Sequence, residues 1–257
     1  MEIEYTVDGP VATIALNRPE KLNALGYQHW QTINESLDRA ETDPQVRVVV
    51  LTGRGRAFCA GADVAGGYPP ARGLFDNRRG MAYIYETIKR LHNHEKPVIA
   101  SVRGHAVGIA WSMALCCDMT IASETAQFSA VFFNRGSVVE GGLSWLLQRQ
   151  VGLYRAKEMI YTRRRVSGKE AFDLGLACRL VPDAELESAT AALATEIAAA
   201  PTFALALTKK LCNDEFANLE SVLNHEINIL AIGHNSEDRV EGVTAAREKR
   251  TPVFHGR

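Results

Sequence analysis

The stretch Asn134–Trp145 (NRGSVVEGGLSW) holds one carboxylate that could act in acid–base chemistry. Glu140 stands between two valines and two glycines, and the nearest other charge along the chain is Arg135. A carboxyl group buried among apolar side chains has a raised pKa, which suits it to take up and return a proton. An acid before a helix can also simply stabilise the helix N-terminus, by about 0.3–1 kcal/mol. These residues alone therefore leave two roles for Glu140, catalytic acid–base or helix-start acid.

Three turns rich in glycine and other small residues follow predicted strands, namely Gly53–Asp63 (GRGRAFCAGAD), Arg103–Trp111 (RGHAVGIAW) and the NRGSVVEGG turn. Small residues let backbone N–H groups approach a ligand, and a turn that opens a helix adds the positive end of the helix dipole. Two such turns facing each other can form an oxyanion hole, although many turns of this kind only make a tight corner. The first lacks the Lys-Ser/Thr of a P-loop and the second lacks the dinucleotide spacing, so no nucleotide cofactor is predicted.

Alternating strands and helices are predicted to position these turns. Glu2–Thr6 and Val11–Leu16, joined by DGP, indicate a hairpin. A helix near Gly26–Thr42 follows, and the apolar Val46–Thr52 is typical of a strand buried on both faces. The pattern then continues with a helix at Gly80–Asn93, a strand at Val98–Val102, a helix near Ala110–Cys117, a strand at Met119–Ser123 and a helix at Gly142–Val151. Such alternation predicts an α/β fold with short parallel strands.

The pattern changes from about Glu185 onward, where strands stop and three helices are predicted at Leu186–Ala200, Pro201–Phe216 and Leu219–Ala231. We therefore divide the chain into an α/β core over residues 1–184, which would hold the site, and a helical C-terminal region over 185–257. No linker rich in Pro, Gly or Ser separates the two, so the second region is not predicted to be an independent domain.

Composition excludes several functional classes. With 46% hydrophobic and 23% charged residues, the 257-residue chain can bury a sizeable core, which excludes disordered and fibrous proteins. The 29 basic and 30 acidic side chains nearly balance, so no nucleic-acid or membrane partner is predicted. The start of the chain lacks the basic region of a secretory signal, and an apolar run such as Ala189–Ala200 is too short and too polar to span a bilayer. A cytoplasmic location is expected.

The five cysteines predict no metal site. They lie in apolar segments without CxxC spacing or a clustered histidine, at Cys59, Cys116, Cys117, Cys178 and Cys212. We interpret them as reduced thiols in the core, so neither zinc nor a disulfide framework is expected.

Six segments together resemble the crotonase (enoyl-CoA hydratase/isomerase) family. In chain order they are NRPEKLNAL (Asn17–Leu25), AFCAGAD (Ala57–Asp63), KPVIASVRGHAVG (Lys96–Gly108), DMTIASETAQF (Asp118–Phe128), AFDLGL (Ala171–Leu176) and EGVTAAREKRTPVF (Glu241–Phe254). The resemblance implies a crotonase-like spiral of ββα units whose C-terminal helices build homotrimers or dimers of trimers. It also implies a coenzyme A thioester as substrate and no further cofactor.

Matching these segments residue by residue implies an oxyanion hole made by the backbone N–H groups of Ala62 and Ile109. The family usually has glycine at the second position, so Ile109 is expected to narrow or reshape the pocket. Coenzyme A would be bordered by Lys21, Leu22, Ala24, Ala60 and Val64, and Trp111 and Phe132 would line the acyl pocket. Lys249 matches a basic residue that reaches a coenzyme A phosphate, often from a neighbouring subunit, although an exposed solvated lysine is an equal interpretation. The aromatic residue that often packs on adenine is replaced by Ala246.

The resemblance also bears on the reaction. Hydratases of the family use two glutamates, and the matching positions here are Ser112 and Phe132. Adding water requires removal of the proton of the nucleophile and delivery of another to the α-carbon, for which this site is poorly equipped. Glu140, in GSVVEGG, resembles the single catalytic base of the Δ3,Δ2-enoyl-CoA isomerase branch. The leading hypothesis is therefore an enoyl-CoA isomerase in which one carboxylate moves the proton.

Two alternatives stay open. In the first, Glu140 and a water carry out hydration, hydrolysis or a ring-related isomerisation. In the second, the chain binds acyl-CoA without catalysis. Among the other residues near the site, Asp63 is interpreted as a helix cap and His105 as a packed histidine, and the sequence does not decide whether Tyr83 and Glu86 line the acyl pocket.

Overall fold

A computed structural model of the chain describes residues 1–63, 74–214 and 234–257, with positions 223, 226, 228–230 and 232 between the last two ranges. Val64, predicted to border coenzyme A, lies outside the described residues, as does much of the predicted helix Leu219–Ala231.

Over the described ranges the strands form two sheets. In chain order they are β1 (Ile3–Asp8), β2 (Val11–Leu16), β3 (Val48–Gly53), β4 (Val98–Val102), β5 (His105–Val107), β6 (Met119–Ser123), β7 (Gln127–Ser129), β8 (Val166–Ser167) and β9 (Arg179–Val181). The larger sheet has the order β1-β2-β3-β4-β6-β9 and the smaller one the order β5-β7-β8. In the larger sheet β1 and β2 form the predicted antiparallel hairpin, and the remaining pairs are parallel.

The smaller sheet accounts for the spiral. Strand β5 follows β4 after two residues and strand β7 follows β6 after three, so each turn of the chain adds one strand to each sheet. Strands β5 and β7 pair in parallel, and β8 joins β7 in antiparallel orientation. Strand β5 lies inside one of the predicted turns, and β8 and β9 were not predicted, because strands of two or three residues are too short to show an alternating pattern.

Helices surround the two sheets. Among the described residues they are α1 (Tyr27–Thr42), α2 (Leu74–Asn93), α3 (Ile109–Cys116), α4 (Leu143–Val151), α5 (Leu153–Thr162), α6 (Gly168–Asp173), α7 (Leu186–Ala198), α8 (Thr202–Asn213) and α9 (Glu237–Glu248). Helix α2 begins at Leu74, six residues before the predicted start at Gly80. Glycine costs about 1 kcal/mol inside a helix, which made Gly80 a natural boundary in the sequence.

The core lies between the sheets and the helices. Strands β3 and β4 are buried over Val48–Leu51 and Val98–Val102, as predicted for strands covered on both faces. On one side they pack into a large cluster with Trp30, Phe58 and Trp111, and on the other side helix α7 covers them with Leu186 and Leu193. The C-terminal region thus begins with a helix that packs on the core sheet.

The cysteine prediction is partly wrong. Cys59, Cys116 and Cys117 are buried, whereas Cys178 and Cys212 are exposed. Cys178 lies just before the edge strand β9, and Cys212 lies in the last turn of α8. Both segments are apolar in sequence, but the side chains of Cys178 and Cys212 lie at the surface.

No single helix in the described ranges is long and apolar enough to cross a membrane. The pair Asp183–Ala198 and Thr202–Asn213 passes that test only when taken together, and it is bent by 101° at the break.

Candidate active site

Two glycine-containing turns run side by side next to β5. Cys59 forms a parallel bridge with Ala106, with the Cys59 N–H donating to the His105 carbonyl (2.7 Å) and the Val107 N–H donating to the Cys59 carbonyl (3.0 Å). Ala62 lies three residues beyond Cys59, and Ile109 lies three residues beyond Ala106. The two predicted donor residues therefore occupy matching positions on neighbouring segments that run in the same direction.

The Ala62 N–H is held between two hydrogen bonds made by its neighbours. The Leu25 N–H donates to the Gly61 carbonyl (2.8 Å), and the Asp63 N–H donates to the Leu25 carbonyl (2.9 Å). Within the described part of the chain the Ala62 N–H has no acceptor of its own. Gly61 has φ +91°, and a Cβ there would lie 2.6 Å from the Val107 carbonyl oxygen, so glycine is what lets this turn approach β5.

The Ile109 N–H opens helix α3. Its predecessor Gly108 adopts φ 61° and donates its own N–H to the Ser129 carbonyl (2.9 Å), and the Gly108 carbonyl accepts from the Trp111 N–H (3.0 Å). The Ile109 N–H, one of the first donors of the helix, has no acceptor among the described residues, and the positive end of the helix dipole lies here. Two unpaired donors at matching positions are suited to hold one carbonyl oxygen.

The side chain of Ile109 does not narrow this site as expected. It is 1% exposed, and its Cδ1 atom lies against Gly141, where a Cβ on residue 141 would collide with it. The branch is therefore packed beneath the loop that carries Glu140, because Gly141 leaves room for it there.

Glu140 lies over the first turn of α3. Its carbonyl accepts a hydrogen bond from the Ser112 hydroxyl (3.0 Å), and the Cβ of Ser112 would be 2.9 Å from a Cβ on Gly141. Gly141 has φ 64°, which brings the loop down onto α3. The Glu140 backbone is thereby anchored to α3, and the next residue, Gly141, lies directly against Ile109, the second predicted donor residue.

The carboxyl group of Glu140 is half-buried, and burial alone raises its pKa. No charged or hydrogen-bonding side chain among the described residues offsets that effect. Helix α4 begins after Glu140 at Leu143, with Gly142 as its N-cap, no acid in its first turn and no side-chain cap. A carboxylate that stabilised a helix N-terminus would have a lowered pKa, so the raised pKa of Glu140 argues against the helix-start role.

Of the two positions that match hydratase glutamates, one holds the apolar Phe132 and the other holds Ser112, whose hydroxyl already makes a hydrogen bond. Ser112 is fully buried, and its hydroxyl is used to hold the Glu140 backbone. The Phe132 ring lies 3.7 Å from where a Cβ on Gly108 would be, next to Ile109. Trp111, predicted with Phe132 to line the acyl pocket, is buried in the core and packs on Phe128, with ring centroids 6.0 Å apart.

The described residues predicted to border coenzyme A lie on two adjoining turns beside Ala62. The Ala60 N–H donates to the Leu22 carbonyl (2.9 Å), which joins the Lys21–Ala24 turn to the Ala60–Asp63 turn. The Lys21 side chain is 54% exposed, with its ammonium 3.7 Å from Asp63. Lys249 ends α9 with φ 55° and an exposed side chain, and its contact with a coenzyme A phosphate stays a prediction.

Asp63 makes a contact that the sequence analysis missed. Its carboxylate pairs with the buried guanidinium of Arg18, 3.2 Å away, while the helix that it was predicted to cap would begin outside the described residues. Arg18 lies in the NRPEKLNAL segment, but a partner 45 residues away leaves no pattern in the sequence.

The other candidates lie as follows. His105 is half-buried on β5, and Glu86 pairs with Arg90 along α2 (2.9 Å). The Tyr83 ring packs edge-on against Tyr27, with centroids 5.1 Å apart. Over the described ranges no three His, Cys, Asp or Glu side chains are grouped to hold a metal ion.

Comparison with known proteins gives consistent matches over the whole chain. A family model described as "Enoyl-CoA hydratase/isomerase" matches residues 6–257. A Mycobacterium bovis protein named "probable enoyl-CoA hydratase" is 38% identical over 95% of this chain and 89% of its own length. The 1,2-epoxyphenylacetyl-CoA isomerase of Escherichia coli is 34% identical over 98% of this chain and 97% of its own length. The crystal structure of an enoyl-CoA hydratase from Bacillus anthracis superimposes with a TM-score of 0.92 at 32% identity, covering 100% of both chains.

Proposed function

Because the chain belongs to the enoyl-CoA hydratase/isomerase family and has its crotonase fold, we propose that it is an enoyl-CoA isomerase that uses Glu140 as its catalytic base. The observation that carries the proposal is the half-buried carboxyl group of Glu140, which has no partner among the described residues and whose backbone is anchored to the helix that opens with the predicted donor Ile109.

The two backbone donors assist the most difficult step of the reaction, the removal of the α-proton. The α-proton of a thioester is too weakly acidic to leave unaided at neutral pH. Hydrogen bonds from Ala62 and Ile109 to the thioester oxygen stabilise the enolate that forms, and removing one such donor costs about 3–4 kcal/mol in related acyl chemistry. The dipole of α3 acts on the same oxygen.

One carboxylate completes the double-bond shift. Glu140 removes a proton from the α-carbon of a 3-enoyl thioester, and the electron pair of that C–H bond moves into a dienolate. The dienolate then takes the same proton from Glu140 at its γ-carbon, which gives the conjugated 2-enoyl thioester. No water enters or leaves, so the reaction needs no second acid–base group.

The surroundings of Glu140 support isomerisation over hydration. A water nucleophile needs a second acid–base group, and the matching positions hold Ser112, whose hydroxyl is engaged with the Glu140 carbonyl, and Phe132. The Escherichia coli relative is named a 1,2-epoxyphenylacetyl-CoA isomerase, and that name favours the ring-related isomerisation that was kept as an alternative.

A direct assay tests the proposal. The purified protein is mixed with a 3-enoyl-CoA, and the absorbance of the conjugated 2-enoyl thioester is followed. We expect Glu140→Gln to lower kcat by about 10²–10⁴-fold, the usual contribution of a general base. Glu158→Gln, which removes a carboxylate paired with Arg164 on the exposed side of α5, is the matched control and should keep full activity. Equal activity in the Glu140→Gln variant would show that this acid is not the base.

Hydration is the second candidate, favoured by the names of the Mycobacterium bovis and Bacillus anthracis relatives. Incubation with a 2-enoyl-CoA separates the two reactions, because hydration gives a 3-hydroxyacyl-CoA and isomerisation gives the 3-enoyl isomer. A 3-hydroxyacyl-CoA formed faster than the isomer would replace the isomerase proposal.

A further inference from the structure

A buried ion pair holds the turn that carries the Ala62 N–H. Both Nη atoms of Arg18 lie 3.2 Å from Oδ2 of Asp63, the residue that follows Ala62. Arg18 is 7% exposed and Asp63 8% exposed, so the pair is nearly withdrawn from water. The same guanidinium donates to the Ala24 carbonyl (2.6 Å), which ties the pair to the turn predicted to border coenzyme A.

Arg18 is itself held in place. Its backbone N–H donates to the Asn23 side-chain oxygen (2.8 Å), and the Asn23 side-chain amide donates to the carbonyls of Ala57 (2.7 Å) and Arg54 (3.0 Å). Asn23 is also buried. The ion pair therefore joins Asp63 to a fixed point of the structure and not to a mobile surface side chain.

The Ala62 N–H is anchored on both sides as a result. The Gly61 carbonyl before it accepts from the Leu25 N–H, and the Asp63 after it is held by Leu25 through its backbone and by Arg18 through its side chain. Rotation of the Ala62 N–H would require these contacts to break together.

We propose that Asp63, held by Arg18, is a positioning residue that fixes the Ala62 N–H in the oxyanion hole. The inference rests on the proposed function, because it assigns a task to the donor on which that function depends. Lys21 lies 3.7 Å from the same Asp63 oxygen, so the exposed lysine of the coenzyme A turn and the oxyanion donor share one anchor.

Removal of Asp63 leaves the buried guanidinium of Arg18 with the half-exposed Glu2 (2.9 Å) as its carboxylate partner, and removal of Arg18 takes a buried cation away from Asp63, which keeps the exposed Lys21. In either case the Asp63 side chain is no longer held by Arg18, so the turn is free to shift. A misplacement of about 1 Å at a catalytic centre costs about 100-fold in rate, and loss of a whole oxyanion donor costs about 10²–10³-fold. We therefore expect Asp63→Asn and Arg18→Lys to lower kcat by about 10- to 100-fold with little change in KM. Lysine keeps the charge of Arg18 but cannot donate from two nitrogens in a fixed plane.

An optical measurement reads the hydrogen bond to the thioester oxygen without turnover. The probe is a coenzyme A thioester of an electron-rich arylacrylic acid, which has no γ-hydrogen to shift and whose absorption moves to longer wavelength when its carbonyl is polarised. The wild-type protein and Glu140→Gln should both shift the probe, although only the former isomerises substrate. Asp63→Asn and Arg18→Lys should bind the probe and lose most of the shift.

Two further variants separate positioning from stability. Asp118→Asn weakens another ion pair, with Lys209 (2.9 Å), and should lower stability while keeping both kcat and the probe shift. The double variant Arg18→Met/Asp63→Leu leaves no buried charge and should fold well, because replacing both members of a buried pair is often neutral or stabilising. This double variant should still lack most of the wavelength shift of the bound probe.

Each outcome decides the inference. Loss of the shift in the folded double variant supports it. A full shift and wild-type kcat in Asp63→Asn or in the double variant overturns it while leaving the isomerase proposal intact. A wild-type protein that binds the probe without any shift has no working oxyanion hole, and that result overturns both.

Discussion

For the single residue Glu140, the local environment disfavours the charged form of its carboxyl group, which suits the proposed catalytic role and lowers stability. Burial raises its pKa without a compensating partner among the described residues. The charged form is therefore less stable in the folded protein than in water, which is the state of a base that is ready to accept a proton.

The raised pKa predicts the pH dependence of activity. Because Glu140 must be ionised to remove the α-proton, kcat/KM for a 3-enoyl-CoA should rise with pH through the pKa of Glu140. The midpoint should lie above the ordinary glutamate value of about 4.3. A rate profile that is already flat from pH 4 upward would contradict this assignment.

The raised pKa of Glu140 also predicts how the stability of the protein depends on pH. A carboxyl whose folded pKa is raised costs no stability below its unfolded pKa, where both states are protonated, and lowers stability as pH rises through the folded pKa. Glu140→Gln removes this cost. Its denaturation midpoint should exceed that of the wild type at pH 7, and the difference should vanish near pH 4. A variant less stable than the wild type at pH 7 would be the contrary result.

Ser112 should act on catalysis through Glu140. Ser112→Ala removes the hydroxyl that holds the Glu140 carbonyl, so we expect a loss of about 0.5–1.5 kcal/mol in stability and a fall in kcat of about tenfold. Ser101→Ala is the matched control, since its buried hydroxyl bonds Thr190 (2.9 Å) far along the chain from Glu140. Denaturation should show similar losses in both variants, and kinetics should show a loss only in the first.

At the scale of elements, the loop from β7 to α4 is shaped by its contact with α3. Gly141 takes φ 64° and leaves room for Ile109 and Ser112, so the loop lies directly on the first turn of the helix. This contact places Glu140, from one turn of the spiral, beside Ile109, the predicted donor residue of the preceding turn.

Two glycines allow this contact to be tested. Gly141→Ala forces a side chain into Ile109 and Ser112 and should lower kcat by about 10- to 100-fold or more as the loop is displaced. Gly152→Ala has similar backbone strain, with φ 82°, but its Cβ would meet no atom within 4 Å. It should cost about 1–2 kcal/mol of stability and leave kcat unchanged. Equal kcat values for the two variants would argue against a positional role for the loop.

At the scale of the whole molecule, the C-terminal region is tied to the core at several points. The Arg47 guanidinium, just before β3, donates to the carbonyls of Phe254 and Ala200 (2.7 Å each). Near the end of the chain, the buried Asp238 accepts from the N–H groups of His255 (2.6 Å) and Gly256 (2.7 Å). The final residues are therefore packed in a defined place, against the first turn of α9.

The homotrimer or dimer of trimers implied by the family resemblance stays a prediction, and Lys249 offers a test of it. If this lysine reaches a coenzyme A phosphate of a neighbouring subunit, Lys249→Ala should weaken acyl-CoA binding about tenfold, equivalent to about 1.4 kcal/mol. The trimer mass in sedimentation should stay the same. Lys157→Ala, on the exposed face of α5, is the control for a general loss of positive charge. Unchanged affinity in Lys249→Ala would favour the interpretation of a solvated lysine.

Several features were determined by the sequence alone because they depend on neighbouring residues. Val48–Leu51 and Val98–Val102 are apolar enough to specify buried strands, and the DGP turn specifies the hairpin of β1 and β2. The glycines around Ala62 and Ile109 mark turns that a backbone can use to bind a ligand. The raised pKa of Glu140 was also predicted, although Val138, one of the two valines expected to bury this residue, is itself 75% exposed.

Only the tertiary structure decided how these parts meet. The bridge between Cys59 and Ala106 brings the two donor turns together, and the room left by Gly141 turns Ile109 away from the site and toward the Glu140 loop. The pairing of Arg18 with Asp63 and the use of Ser112 to hold Glu140 join residues that are 45 and 28 positions apart. Such contacts depend on where the spiral places one turn of chain against the next, and that placement is a property of the packed core and not of any local sequence pattern.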